Sequence, residues 1–223
     1  MNGLFITGTD TNVGKTYAAC KIAETLIQQG AKVKPRKPIE SGCQLINSEL
    51  IPDDALKLQK ACQSEEPLDI ICPHRFQQAI SPARAAQLNN QTITIEQLTQ
   101  ACTTQVKESD FILVEGAGGF YSPICKNALN ADLAKALNLP VLLVSENRVG
   151  TINQVLLCLK AIEQKKLTVK AIVLNQISNT DIIDNNSELS QLTNLPIFLL
   201  DENNSIEGIA NILLKTLPNE KHR

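Results

Sequence analysis

Gly8-Thr9-Asp10-Thr11-Asn12-Val13-Gly14-Lys15-Thr16 reads as a phosphate loop, a glycine and a short spacer leading into Gly-Lys-Thr. The glycines let the backbone curl and turn its N–H groups inward as an anion nest. Lys15 adds a mobile positive charge for the outer phosphates, and Thr16 a hydroxyl suited to Mg²⁺. So short a pattern needs its context, a strand before it and a helix after it. Gly3-Leu4-Phe5-Ile6-Thr7 is an apolar run that reads as a buried strand. Ala18, Ala19, Ile22, Ala23, Leu26 and Ile27 recur at helical spacing, and Gly30 reads as the stop. The helix would aim its positive end at the phosphates. An ordinary strand-turn-helix corner is the alternative.

The chain has 223 residues, which predicts one α/β domain spanning 1–223. Such a chain buries roughly 70% of its unfolded surface and needs no staples. A net charge of −2 and the absence of Trp argue against nucleic-acid and membrane-surface binding. The seven cysteines are scattered, with no C-x-x-C pair, and read as small buried hydrophobes of a reducing, cytoplasmic compartment. No leader is expected, and no apolar run approaches the ~18 residues of a membrane span.

Along the chain, a second strand is expected over 31–38, ending in Lys37-Pro38-Ile39-Glu40-Ser41-Gly42. Ligands gather at strand ends in parallel sheets, so Lys37 and Ser41 are candidate substrate contacts; a solvated lysine is the plainer reading. A helix is expected over 55–63, where Asp53 or Asp54 either caps it or serves as a carboxylate for a metal. Ile70-Ile71-Cys72 is expected as a short strand and His74 as a packed or surface histidine. Ser81-Pro82 starts a helix. Thr94 and Gln97 form a capping box for another, expected to run to Ser109.

Phe111-Ile112-Leu113-Val114-Glu115-Gly116-Ala117-Gly118-Gly119 is the second strong signal. It is an apolar strand ending in a carboxylate, followed by a glycine-rich turn. In phosphate-loop folds, the strand beside the nucleotide strand ends in an acid that positions Mg²⁺; Glu115 fits that place. The alternative is a buried strand with a flexible turn. Strands over 140–144, 168–174 and 195–200 alternate with helices over 150–165 and 206–217, and 178–194 reads as a loop with one short helix. Strand-helix alternation predicts a mostly parallel sheet covered by helices on both faces. Its carboxyl edge would gather Gly8–Thr16, Lys37, Glu115, Gly150, Asn175 and Asp201.

The phosphate loop, Lys37–Gly42, Asp54-Ala55-Leu56, Val114–Gly119 and Gly150-Thr151-Ile152-Asn153, five motifs in this order, resemble those of the dethiobiotin synthetases. The resemblance covers nearly the whole chain and implies a P-loop NTPase-like fold, a homodimer and ATP-dependent ring closure. In that reaction diaminopelargonic acid takes up CO₂ as a carbamate, ATP phosphorylates it, and the second amine closes a cyclic urea. It implies that Lys15 and Lys37 are catalytic and that Thr16, Asp54 and Glu115 hold Mg²⁺. Thr11 and Ser41 would meet the carbamate end. Gly150, Thr151, Ile152 and Asn153 would take the distant carboxylate across the subunit boundary. ATP would lie against Asn12, Val13, Gly14, Lys15, Thr16, Tyr17, Asp54, Glu115, Gly116, Ala117 and Gly118. Asn175 and Gln176 would read adenine, with Asn204, Ser205 and Ile206 beside it. Three departures stand out. Asn12 occupies a position often Glu, Ala83 follows Ser81-Pro82 where the family has His, and 201–206 lacks the family's Gly-x-x-Pro turn. The competing readings are a related ligase acting on another acid substrate and a non-catalytic nucleotide switch.

Overall fold

The computed structural model describes residues 2–176, 183–201 and 207–214. The chain opens with β1 (Asn2–Gly8), the phosphate loop and α1 (Lys15–Gln28), then β2 (Val33–Arg36) and the short strands β3 (Ile39–Ser41), β4 (Gln44–Ile46) and β5 (Glu49–Ile51). There follow α2 (Asp53–Ala61), α3 (Leu68–Ile71), β6 (His74–Phe76), α4 (Pro82–Leu88) and α5 (Ile95–Thr103). The long β7 (Phe111–Gly119) leads to β8 (Pro123–Cys125), β9 (Ala128–Leu129) and α6 (Asn130–Leu137). The remainder is β10 (Val141–Glu146), α7 (Thr151–Gln164), β11 (Val169–Asn175), α8 (Asn185–Leu192), β12 (Ile197–Leu200) and α9 (Glu207–Leu214).

Six strands form one parallel sheet in the order β12-β11-β10-β1-β7-β2. Helices cover both faces because the strands alternate their apolar side chains between them. Leu4 and Ile6 of β1, with Leu142 and Val144 of β10, join the core beneath α1. Phe5, Ile112 and Val114 point the other way, into the core with α5 and α6. Ile22 and Leu26 of α1 are fully buried, each worth about 1.5–3 kcal/mol of transfer free energy. The strand neighbours diverge at β1, since the chain runs from it to β2 across β7. Such a reversal opens a crevice at the strands' carboxyl ends.

Several expectations are corrected. Ile70-Ile71-Cys72 is not a strand. Leu68–Ile71 form one helical turn after Pro67, burying Ile71 and Cys72 against Ala55; so short an apolar run does not reveal its period. The strand lies just beyond, in β6, paired parallel with β3. Helix α5 keeps its Thr94–Gln97 capping box but ends at Thr103, short of Ser109. Thr104 is extended and Gln105 takes φ 57. The segment after Glu115 is no simple turn, because β7 continues through Gly119, with a register shift against β1 between Ile6 and Gly8. Pro35 sits inside β2 without penalty because β2 is the edge strand. The short helix expected within 178–194 is α8.

Among the described residues no helix is long and apolar enough to cross a membrane. The seven cysteines are unpaired, five of them buried. His74 is half-buried, and burial lowers its pKa.

Candidate active site

Five residues separate Gly8 from Gly14, one more than the common phosphate-loop spacing of four. Left-handed backbone at Asn12 (φ 59) and Gly14 (φ 91) accommodates the curl. Asn tolerates that conformation better than most side chains, which gives Asn12 a backbone rationale. At Gly14 a Cβ would run into the Asn175 carboxamide, which donates to Val13 O at 3.1 Å. The end of β11 is thereby tied to the loop. Lys15 opens α1 and is 7% exposed, its Nζ donating to Asp10 O at 3.1 Å. Burial and the nearby Lys37 charge bring its ammonium down to about 8, against the pull of Glu115, Asp54 and Asp10.

Lys37 leaves the end of β2 and reaches under the loop, its backbone N–H held by Ile71 O at 2.9 Å. Its Nζ, 3% exposed, lies 2.9 Å from Asp54 Oδ2 and 2.5 Å from Glu115 Oε1. Burial works against its charge, but Glu115, Asp54 and Glu40 outweigh it and hold the pKa above the ordinary lysine value. Burial likewise works against the Asp54 carboxylate, and the Lys37 charge with hydrogen bonds from Lys37 and Thr16 carries its pKa below the usual range. The Thr16 hydroxyl lies 2.8 Å from Asp54 Oδ1 and 2.9 Å from Glu115 Oε1. Asp54 is thus the aspartate that faces Thr16 and Lys37, whereas Asp53 points outward to Lys57 at 2.5 Å.

Thr16, Asp54 and Glu115 are oxygen donors from three elements, suited to a hard cation. Glu115 Oε2 is buried with no hydrogen-bond partner, and a cation would satisfy it. Among the described residues no group of three His, Cys, Asp or Glu side chains is placed to hold a metal ion by itself. A cation here would therefore draw further ligands from water and phosphates, as Mg²⁺ commonly does.

A cleft of about 330 Å³ brings together Thr11, Asn12, Gly14, Lys15, Thr16, Tyr17, Lys37, Ser41, Asp54, Glu115, Ala117 and Gly118. Of the other expected site residues, Val13 is buried in the core and offers the loop its backbone. Gly116 is buried too, with no room for a side chain. Asn175, the last residue of β11, flanks the loop, and Gln176 follows it, its N–H bonding Leu200 O and its side-chain oxygen accepting from Asn147 Nδ2 at 3.3 Å. Gly150, Thr151, Ile152 and Asn153 form the turn into α7 beyond β10, outside that cleft. The buried Thr151 hydroxyl donates to Glu146 O and accepts from Arg148 N–H. Val149 beside it is 80% exposed. Ser41 donates to Ile80 O at 2.7 Å. Asn204, Ser205 and Ile206 lie outside the described residues. A larger hollow of about 750 Å³ between α4 and the β8–β9 pair is lined by Arg84 and Lys126 and contains no carboxylate.

Two functional side chains escaped sequence reasoning. Asn130 is fully buried, accepting from Ala117 N–H at 2.9 Å and donating to Ala117 O and Gly119 O. It holds the shape of the glycine-rich segment, and nothing in an isolated asparagine signals that. Glu40 lines the cleft. Burial pushes its carboxyl up to about 7, against the Lys37 charge and two backbone hydrogen bonds. Its place beside Lys37 in a recognised motif was the available signal.

A glycine loop entering a helix, a lysine on that helix's first turn and a carboxylate from the neighbouring strand define a phosphate-loop nucleotide-binding protein of the parallel α/β class. A family model described as an AAA domain matches residues 2–204. Solved structures agree on the fold. A plasmid partition protein from Borrelia burgdorferi superposes with a TM-score of 0.59 at 10% identity, covering 97% of this chain and 99% of that one. The MinC:MinD cell division protein complex of Aquifex aeolicus gives 0.55 at 15% identity, covering 96% and 86%. Sequence relatives are more specific. The ATP-dependent dethiobiotin synthetase BioD of Vesicomyosocius okutanii subsp. Calyptogena okutanii (strain HA) is 42% identical over 220 residues, 97% of this chain and 99% of that protein. The protein of the same name from Ruthia magnifica subsp. Calyptogena magnifica is 39% identical, covering 91% and 92%. The chain belongs to the ATP-dependent dethiobiotin synthetase family.

Proposed function

We infer that this chain is an ATP-dependent dethiobiotin synthetase, converting diaminopelargonic acid, CO₂ and ATP into dethiobiotin, ADP and phosphate. The observation that carries the residue assignments is the Lys37 ammonium. It is held between Asp54 and Glu115 on the floor of the cleft that Lys15 also lines. The chemistry brings a carbamate against the γ-phosphate, anion against anion. At 4 Å and an effective dielectric of 20, two unit charges repel by about 4 kcal/mol. Lys15 and Lys37 supply the opposing charge in a preorganised site that excludes most water.

Diaminopelargonic acid binds with its amines near Thr11 and Ser41, and one amine takes up CO₂ as a carbamate. The carbamate oxygen attacks the γ-phosphorus in line, ADP leaves, and a carbamic-phosphoric anhydride forms. The second amine then attacks the carbonyl carbon, closing the cyclic urea and expelling phosphate. Lys37 neutralises the carbamate and the charge gathering on the transferred phosphoryl group, and Lys15 holds the outer phosphates. Mg²⁺ held by Thr16, Asp54 and Glu115 supplies charge neutralisation on those phosphates when bound. Asn12 to Tyr17, with Gly116, Ala117 and Gly118, cradle the phosphates. Gln176 and Asn175 are assigned to the adenine side. The turn at Gly150–Asn153, exposed at Gly150 and Asn153, meets the substrate's carboxylate from the second subunit of a homodimer, and we assign the enzyme to the cytoplasm.

The test is to supply carbon-labelled bicarbonate and identify the product by mass spectrometry. Label in the urea carbon of dethiobiotin is expected. Label-free or uncyclised product refutes the reading.

A further inference from the structure

Helix α2 carries Asp54, yet its own start has no cap. Pro52 stands at the N-cap and offers no side-chain acceptor. Asp53 turns away to Lys57, and Asp54 is engaged by Lys37 and Thr16. The helix's second and third N–H groups are those a capping oxygen ordinarily receives. Here they belong to Asp54 and Ala55, and both donate to Glu40, at 3.1 Å to Oε1 and 3.1 Å to Oε2. Glu40 is 6% exposed and sits on β3, three residues beyond Lys37. A carboxylate at a helix start is also favoured by the helix dipole.

We propose that Glu40 is a positioning residue, a cap supplied from a distant strand that fixes the start of α2 so that Asp54 faces Thr16 and Lys37. The Lys37–Glu40 segment and the helix are then tied at two points, one through the Asp54 side chain and one through its backbone. Of the two proposed cation-ligand carboxylates in contact with Lys37, Asp54 is the more exposed, its side chain being 36% exposed against 0% for Glu115. It therefore has room to swing into solvent once the helix start loosens. The role rests on the assignment of Asp54 to the cation site.

The experiment compares the full-length protein with Glu40→Ala, Glu40→Gln and Glu40→Ala/Pro52→Ser. Three readings are taken: amide hydrogen exchange at Asp54 and Ala55 without ligand, Mn²⁺ retention beside ADP by electron paramagnetic resonance, and ADP binding in chelator. Loss of a group that orients a ligand commonly weakens metal affinity about 10–100-fold. Glu40→Ala is expected to speed exchange at both amides and to weaken Mn²⁺ retention by at least about tenfold, with ADP binding in chelator unchanged. Glu40→Gln, which keeps one acceptor oxygen, should fall between. Pro52→Ser supplies a local cap and should restore both exchange and Mn²⁺. Unchanged exchange overturns the proposal, as does faster exchange with Mn²⁺ retention unaltered, or a Pro52→Ser change that restores neither. None of these readings requires ring closure. A wild-type protein that forms no cyclic urea counts against the function alone, and one that holds no Mn²⁺ beside ADP counts against the cation assignment.

Discussion

Replacing Lys37 by Ala removes a buried ammonium from between two carboxylates, at 2.9 Å from Asp54 and 2.5 Å from Glu115. Two consequences are separable. Breaking a buried pair by deleting one partner costs about 3–5 kcal/mol, because the charge left behind is uncompensated. Glu115 is that charge here, since its side chain has no solvent exposure. The chemical step loses a preorganised positive group, an effect of about 10²–10³ in turnover at comparable sites. Turnover should therefore fall at least about a hundredfold, while ATP still binds, because Gly14, Lys15 and Thr16 are untouched. Phosphate release reads turnover, fluorescent-nucleotide titration reads ATP binding and denaturant unfolding reads stability. Measured beside a Lys37→Met single variant, the Lys37→Met/Glu115→Gln double variant removes the orphaned charge and should recover much of the stability but none of the turnover. Turnover within fivefold of wild type, in a folded variant, would refute the catalytic assignment. A double variant no more stable than Lys37→Met would refute the buried-charge account.

Gly14→Ala should abolish measurable nucleotide binding, since φ 91 disfavours an L side chain and its Cβ meets Asn175; calorimetry with ADP checks it, and retained affinity would count against the loop geometry. Lys15 gives a pH signature in metal-free ADP binding. Its folded pKa of about 8 lies below the ordinary lysine value of 10.5, so between these values the unfolded chain holds a proton the ligand-free fold has released. Its contribution to stability is thus present above 10.5 and lost as pH falls through about 8. ADP phosphates should restore the proton, so binding above pH about 8 takes up close to one proton and weakens as pH rises. Calorimetry in buffers of different ionisation enthalpy reads this, and zero uptake contradicts it. Glu115→Gln should raise the Mg²⁺ concentration needed for half-maximal activity far more than Asp53→Asn does, because Asp53 faces solvent and Lys57; the reverse order would overturn the ligand assignment.

The alternation of apolar strands with 3.6-period helices made the central sheet legible, because each strand buries both faces and each helix one. Lys15, Thr16 and Glu115 were legible too, since their motifs encode strand ends and a helix start. Lys37 was a weaker signal, as a lysine at a strand end is usually solvated, and only the fold shows that it turns inward. Asp54 could not be told from Asp53 by spacing, because adjacent residues on a helix point about 100° apart and the sequence does not mark which direction faces the loop. Glu40 and Asn130 act through backbone groups distant in sequence, a pairing no local pattern announces. The single turn α3 and the early end of α5 were misjudged for a related reason. Runs of three or four apolar residues fit either period, and Gln105 carries no mark of its left-handed backbone.

The central claim is that phosphoryl transfer in this cleft is coupled to ring closure on a diamine carbamate. The direct measurement is phosphate release from Mg-ATP with diaminopelargonic acid and bicarbonate each supplied or withheld. Release that requires both, one phosphate for each cyclic urea formed, is the predicted result. Release indifferent to either, or phosphate without cyclic urea, would contradict the account.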